Sequence, residues 1–154
     1  VLRYFLENMP RPSLLVFTVQ REVAQRIVAA PGEMSLLAVS IRFYGRPEIV
    51  ARIPAGAFYP RPDVDSAVLR VEAAAGPTVD LGGAVDEAEF FRIVRAGFAQ
   101  KRKKLRNSLS AGLALPTAQV EGCLEAAGVA PRRRPQTLSM GEWAAVARAL
   151  ADAV

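Results

Sequence analysis

The sequence predicts an α/β region followed by an all-α region. Helical and strand-like patterns alternate from Val1 to Glu72, whereas the patterns after Asp86 are all helical. Between the two regions, residues 73–77 and the pair Gly82–Gly83 interrupt both kinds of pattern. The expected division is residues 1–75 for the C-terminal part of an α/β domain, 76–85 for a linker and 86–154 for a small helical domain.

Two elements open the chain. From Val1 to Met9 the apolar residues share one helical face, and Pro10 ends that helix. The run Ser13–Val19 is almost entirely apolar, which is typical of a parallel strand buried on both faces. We therefore expect this run to be a core strand.

Two helices and two strands follow. Residues 20–28 return to helical spacing, and Ser35 can cap a second helix that ends at Gly45. Alternation of polar and apolar residues then predicts half-exposed strands at Glu48–Ile53 and Ala67–Glu72. This order of elements corresponds to the C-terminal half of an α/β domain, and the patterns predict no elements of its N-terminal half.

Cap and stop signals divide the rest of the chain into helices. An N-cap residue opens the first helix, leucine spacing marks the second, and a threonine and a later glycine bound the third. A Ser-x-x-Glu capping box opens the last helix. The residues that carry these signals are Asp86, Leu105 to Leu113, Thr117, Gly128, Ser139 and Glu142.

Composition narrows the class of protein. The formal charge is +5 and the pI is near 10.0, which permits binding to nucleic acid. Cys123 is the single cysteine and histidine is absent, so neither an internal disulfide nor a metal site is expected. No membrane span and no signal peptide are visible, which favours a cytoplasmic protein. Because Val1 already lies within a helical pattern, we expect a fragment of a longer chain.

The segment Ile53–Ser66 cannot form an ordinary helix or a central strand. Its three prolines fix their φ angles and remove backbone donors. We expect a stiff loop between two strands that holds Phe58 and Tyr59 at its turn. Such a loop can stack a flat ligand, although an aromatic residue that plugs the end of a sheet would give the same pattern.

A specific motif spans this loop. The pattern Pro-x-x-x-Phe-x-Pro-x-Pro-x-Val-x-Ser-Ala-Val runs from Pro54 to Val68. Three further blocks are Val19–Arg26, Phe98–Leu109 and Arg134–Ser139. Together, and in this order, the four blocks resemble motifs of the ribosomal RNA adenine dimethyltransferase family.

The resemblance implies a fold and an activity. Members of the family join a Rossmann-like, S-adenosylmethionine-dependent methyltransferase domain to a small helical domain. They transfer two methyl groups to the N6 of each of two adjacent adenines near the 3′ end of small-subunit ribosomal RNA, during ribosome biogenesis. By resemblance, Phe58 stacks on the extruded adenine, and Pro60, Pro62 and Ser66 form the loop scaffold.

The site for the methyl donor is expected N-terminal to this chain. No glycine-rich turn follows a strand, and the family's Asn-Leu-Pro-Tyr motif is absent, because Asn8–Arg11 differs from it at the fourth position. We therefore expect no cofactor-binding residue here and no methylation by the chain alone.

Basic residues cluster in two segments. Seven basic residues and no acid lie between Arg92 and Arg106, and Arg132–Arg134 forms the second segment. A charge run is usually a solvated helix face, but cations without acids between them repel on a helix unless a polyanion offsets them. The family's motif also covers the first segment. We expect phosphate contacts from Lys101, Arg102, Lys103, Lys104, Arg106, Arg132, Arg133 and Arg134.

The expected partner is small-subunit ribosomal RNA or a pre-ribosomal subunit, with no membrane and no obligate protein partner. The alternative is a non-enzymatic RNA- or ribosome-binding assembly module. A glycine-rich turn and an Asn-Leu-Pro-Tyr motif upstream of Val1 would favour the enzyme over this module.

Overall fold

The structure is a computed structural model that describes residues 1–153. Its contacts form two compact units: Val1–Ala29 with Leu37–Thr78, and Ala30–Leu36 with the chain from Val79 onward. The second unit includes residues 30–36 because the N–H groups of Gly32 and Met34 donate to the Gln136 carbonyl, at 2.9 and 3.2 Å. Whether these units act as the domains expected from the sequence stays a prediction.

The first unit is a mixed α/β arrangement around a three-stranded sheet. The sheet has the strand order β1-β3-β2, and both outer strands pair antiparallel with the middle strand. The elements are α1 (Leu2–Glu7), β1 (Leu14–Gln20), α2 (Arg21–Val28), α3 (Leu36–Tyr44), β2 (Gly45–Ile53) and β3 (Ser66–Ala73).

The middle strand supplies much of the core of this unit. Ala67, Leu69 and Val71 of β3 alternate inward and are fully buried, as the two-residue period of a strand requires. The helix α2 packs on this sheet and buries Ala24 and Ile27 completely. The strands that the sequence predicts at β2 and β3 are thereby confirmed, with slightly wider bounds.

The expectation of a buried parallel strand at β1 is wrong. This strand is antiparallel to β3 and lies at an edge of the sheet. Leu15 is buried, whereas Leu14 and Val16 are 46% and 56% exposed. An apolar run does not reveal which of its faces is covered, and in this unit β1 buries mainly alternate positions.

The second unit is helical, as the sequence predicts. Asp86 caps the first helix by accepting the Glu89 N–H at 2.8 Å, and Ser139 and Glu142 form the predicted capping box. None of the helices within residues 1–153 has the length and hydrophobicity that a bilayer span requires. The helices are α4 (Glu87–Phe98), α5 (Leu105–Leu113), α6 (Thr117–Ala126) and α7 (Met140–Ala151), with a 3-10 turn at Pro135–Thr137.

A close contact fixes the packing of α4 on α7. Trp143 of α7 is fully buried, and a Cβ atom added at Gly97 of α4 would lie 2.5 Å from its Cη2 atom. Glycine at this position therefore lets the indole ring approach the α4 backbone. Leu81 and Val85, from the segment predicted to be a linker, are buried as well.

Candidate functional site

The proline loop, residues 54–65, joins β2 to β3 and is closed by Asp65. The Ala55 N–H donates to Asp65 Oδ1 at 3.0 Å, and the N–H of Arg21, the first residue of α2, donates to the Asp65 carbonyl at 3.0 Å. A short 3-10 turn precedes extended backbone at Phe58, with φ −108° and ψ 149°. The loop is therefore anchored at both ends and tied to the start of α2.

Two aromatic side chains lie exposed on this loop. Phe58 is 37% exposed, and Tyr59 is 102% exposed. Neither ring plugs the end of the sheet, because a plug would be buried in the core. A ring with a free face on a stiff loop can stack on a nucleobase.

The predicted scaffold residues frame these rings. Pro60 and Pro62 lie immediately after Tyr59 in the loop. Ser66 is the first residue of β3 and pairs with the last residue of each outer strand, Gln20 and Ile53. The loop therefore ends where all three strands meet.

A polar cavity of about 430 Å³ lies beside the C-terminal end of the loop. Asp65 Oδ2 lies 3.8 Å from Arg21 Nη1 and 3.9 Å from Arg52 Nη2, so one carboxylate sits between two guanidinium groups. All three side chains are more than a third exposed, and such pairs contribute little to stability. The cavity is lined by Gln20, Arg21, Glu22, Gln25, Asp63, Val64 and Asp65.

The basic run Lys101–Lys104 forms a turn between α4 and α5. It does not lie on a helix face, because α4 ends at Phe98 and α5 begins at Leu105. The sequence suggested that neighbouring cations on a helix repel each other, but this argument does not apply to Lys101–Lys104. All four side chains are exposed and form no ion pair within residues 1–153.

The second basic segment, Arg132–Arg134, lies beside this turn. The N–H of Leu105 donates to the Arg133 carbonyl at 2.7 Å, and the N–H of Arg106 donates to the Pro131 carbonyl at 3.3 Å. These bonds satisfy N–H groups that the start of α5 leaves free. They bring the two segments together into one basic surface, which we define as Lys101, Arg102, Lys103, Lys104, Arg132 and Arg134, all exposed.

Arg106 and Arg133 are held by carboxylates instead. Arg106 pairs with Glu121 of α6, and Arg133 pairs with Glu142 of α7. Arg133 also donates from Nη2 to the Thr137 carbonyl at 2.6 Å. The hydrogen bond from Arg133 lowers the pKa of the Glu142 carboxyl, and backbone donation from the capping box acts in the same direction. Both arginines thus connect loops and helices within the second unit.

The surroundings of Arg92 and Cys123 indicate structural roles. Arg92 pairs with Glu89, one turn earlier on α4, and this hydrogen bond lowers the pKa of Glu89. Cys123 is buried on α6, and burial raises the pKa of its thiol. Among residues 1–153, no three His, Cys, Asp or Glu side chains cluster as metal ligands would.

Sequence reasoning missed Asp65 and Arg52. Asp65 joins three parts of the chain that are distant in sequence, and no local pattern predicts such contacts. Its position within the proline motif, directly before Ser66, was the one available signal.

Comparisons with known sequences agree on one family. A family model described as ribosomal RNA adenine dimethylase matches residues 1–152. The ribosomal RNA small subunit methyltransferase A of Dehalococcoides mccartyi is 49% identical over 93% of this chain and 48% of the relative. The protein of the same name from Desulfitobacterium hafniense is 42% identical over 97% of this chain and 53% of the relative. The chain thus spans about half the length of these curated relatives.

Two solved structures share the fold. A dimethyladenosine transferase from Plasmodium falciparum matches 92% of this chain and 58% of its own, with a TM-score of 0.73 and 17% identity. The 23S rRNA methyltransferase ErmE matches 94% of this chain and 57% of its own, with a TM-score of 0.69 and 24% identity. The α/β and helical elements described above therefore belong to the fold that these two solved structures share. With a family model that covers nearly the whole chain and relatives above 40% identity, the chain belongs to the ribosomal RNA adenine dimethylase family.

Proposed function

We propose that this chain is the C-terminal portion of an rRNA adenine-N6,N6-dimethyltransferase. The intact enzyme transfers two methyl groups from S-adenosylmethionine to each of two adjacent adenines near the 3′ end of small-subunit ribosomal RNA. Family membership supports the reaction, and the half-length match to the relatives supports a portion of the enzyme. The observation that carries the proposal is the anchored proline loop that exposes Phe58.

Phe58 supplies a stacking surface for the target base. An enzyme that modifies a base must first extrude it from its stack, which costs a few kcal/mol. Stacking on an aromatic ring returns about 1–3 kcal/mol per base. Because Asp65 anchors the loop at both ends, the backbone that carries Phe58 is held in place before the adenine arrives.

The described residues do not fit S-adenosylmethionine. A methyl donor is usually held at a glycine-rich turn after a strand, but the turn after β1 passes directly from Gln20 into Arg21 of α2. We infer that the cofactor is held by residues N-terminal to this chain. Calorimetric titration of the chain with S-adenosylmethionine is expected to show no binding.

The basic surface positions the RNA. Its exposed lysines and arginines contact phosphates, which orients the substrate without reading its sequence. The ribosomal RNA or pre-ribosomal subunit is therefore the partner of the second unit. Arg106 and Arg133, which the sequence suggested as phosphate ligands, have a supporting role, because carboxylates already neutralise them.

A chimera tests the enzymatic function. This chain replaces the matching half of the Dehalococcoides mccartyi relative, and N6,N6-dimethyladenosine in small-subunit rRNA is measured by mass spectrometry. We expect dimethylation, and Phe58→Ala is expected to lower its rate roughly tenfold or more. Val50→Ala, an exposed position of β2 that lies outside the loop and the cavity, serves as the control. A chimera that binds S-adenosylmethionine but forms no dimethyladenosine would contradict the proposal.

The second candidate is a non-enzymatic RNA-binding assembly module. It is favoured by the basic surface, which is formed entirely by the helical unit. An inactive chimera that binds ribosomal RNA as tightly as the relative does would support this candidate.

A further inference from the structure

Tyr59 is the most exposed aromatic residue of the proline loop. Its side chain is 102% exposed, whereas the adjacent Phe58 is 37% exposed and packs in part on the protein. Within residues 1–153, the Tyr59 ring and hydroxyl make no hydrogen bond or ring contact. Nothing in the described fold therefore requires an aromatic residue at this position.

The loop holds this ring out in solvent. Prolines directly after and three residues after Tyr59 restrict the backbone, and Asp65 anchors the loop through Ala55 and Arg21. A side chain on a flexible loop could fold back to bury its ring, but this backbone limits such a movement. A restricted backbone loses little conformational freedom when a planar ligand stacks on the ring that it carries.

Within residues 1–153, the rings of Phe58 and Tyr59 do not contact each other. Phe58 has extended dihedral angles, and residues 58–60 form a bend in the loop. Because Phe58 is partly packed on the protein and Tyr59 is fully exposed, each ring presents a face of its own on which a base can stack. A substrate with adjacent unpaired nucleotides matches this arrangement, because neighbouring bases that leave a stack each need a new surface.

We propose that Tyr59 stacks on the unpaired nucleotide next to the adenine that Phe58 receives. The loop thereby recognises a single-stranded dinucleotide, and Tyr59 is a substrate-positioning residue. This inference rests on the proposed function, because it assigns the Phe58 ring to the target base.

The test uses the full 154-residue chain and a short single-stranded RNA with two adjacent adenines flanked by uridines. Either adenine is replaced by 2-aminopurine, whose fluorescence is quenched when it stacks on an aromatic ring. Affinity and quenching are measured for the unsubstituted chain and for Tyr59→Ala, Tyr59→Phe and Phe58→Ala.

Tyr59→Ala is expected to weaken binding about 5- to 100-fold and to remove quenching at one of the two positions. Phe58→Ala should remove quenching at the other position, and Tyr59→Phe should retain both. Thermal melting should not change in Tyr59→Ala, because the side chain makes no hydrogen bond or ring contact within residues 1–153. The inference is overturned if Tyr59→Ala leaves affinity and quenching unchanged, or if both alanine variants affect the same position.

A parallel titration with an RNA hairpin separates this inference from the proposed function. Hairpin binding is expected to depend on the basic surface and to be the same in Tyr59→Ala. Normal hairpin binding with no quenching of the single strand overturns the role of Tyr59 alone. A chain that binds neither RNA overturns both the role of Tyr59 and the RNA contacts of the proposed function.

Discussion

The consecutive arginines Arg132, Arg133 and Arg134 should respond differently to alanine substitution. Arg133 is paired with Glu142, and its side chain is 31% exposed. Its two neighbours are exposed and belong to the basic surface. We expect Arg133→Ala to lower stability, whereas Arg132→Ala and Arg134→Ala lower RNA affinity and leave stability unchanged.

The size of the stability loss follows from the hydrogen bonds of Arg133. It pairs with Glu142 and donates to the Thr137 carbonyl and hydroxyl at 2.6 and 3.2 Å. A hydrogen bond to a charged group contributes about 1.5–3 kcal/mol, and a neutral one contributes about 1 kcal/mol. Because Arg133 and Glu142 are about a third exposed, water replaces part of what is lost. We expect the free energy of unfolding to fall by about 2 kcal/mol and Tm by at least about 4 °C.

The loss of RNA affinity is measured from the dependence of binding on salt concentration. Each phosphate contact contributes roughly 0.7–0.9 to the slope of log affinity against log salt, so the six cations of the basic surface give a slope of about −4 to −5 at most. Arg132→Ala or Arg134→Ala should flatten the slope by about one unit. Hairpin titrations at several salt concentrations and thermal melts followed by circular dichroism provide both measurements. If Arg133→Ala melts like the unsubstituted chain, or Arg132→Ala destabilises it equally, the assigned roles are wrong.

Three further predictions concern stability and association. The pKa of Glu142 lies below its ordinary value of 4.5 because Arg133 donates a hydrogen bond to the carboxylate. The stability that Glu142 contributes is therefore present above pH 4.5 and is lost as the pH falls through the folded-state pKa. Urea unfolding between neutral and acid pH should show a smaller loss of stability in Glu142→Gln. Gly97→Ala should destabilise the chain by about 1–3 kcal/mol, because the added Cβ displaces Trp143. Gly122→Ala should instead stabilise α6 by up to about 1 kcal/mol, because no atom lies within 4 Å of the added Cβ. Melting curves of both variants check this contrast. The unpaired edge of β1 should make sedimentation of the chain depend on concentration, and unchanged monomeric sedimentation at high concentration would contradict this expectation.

The helical unit could be predicted in detail because its signals are local. Asp86 satisfies an N–H three residues away, and Ser139 and Glu142 satisfy each other's backbone groups across the same spacing. These contacts depend on residues within one helical turn, so the sequence contains all of the required information. The proline loop was predictable for the same reason, since proline restricts its own backbone.

Strand pairing was not predictable in the same way. The strand β1 has the composition of a buried parallel strand, yet it pairs antiparallel with β3, more than forty residues later in the chain. Which neighbour a strand selects depends on the whole sheet, and the composition of one strand cannot specify it. The exposure of Leu14 and Val16 follows from this pairing, which places β1 at an edge of the sheet.

The basic surface illustrates a second limit. Two hydrogen bonds join its segments, from the N–H groups of Leu105 and Arg106 to the carbonyls of Arg133 and Pro131, and all four groups belong to the backbone. Every non-proline residue carries these donors and acceptors, so no pattern of side chains can indicate that they meet. The same geometry explains why Arg133 differs from its neighbours: its carbonyl faces α5 and its guanidinium group faces Glu142, which leaves only Arg132 and Arg134 for a polyanion. In this chain, the arginines proposed to contact RNA can therefore be separated from the one that supports the fold by their partners, although the sequence presents all three as equivalent.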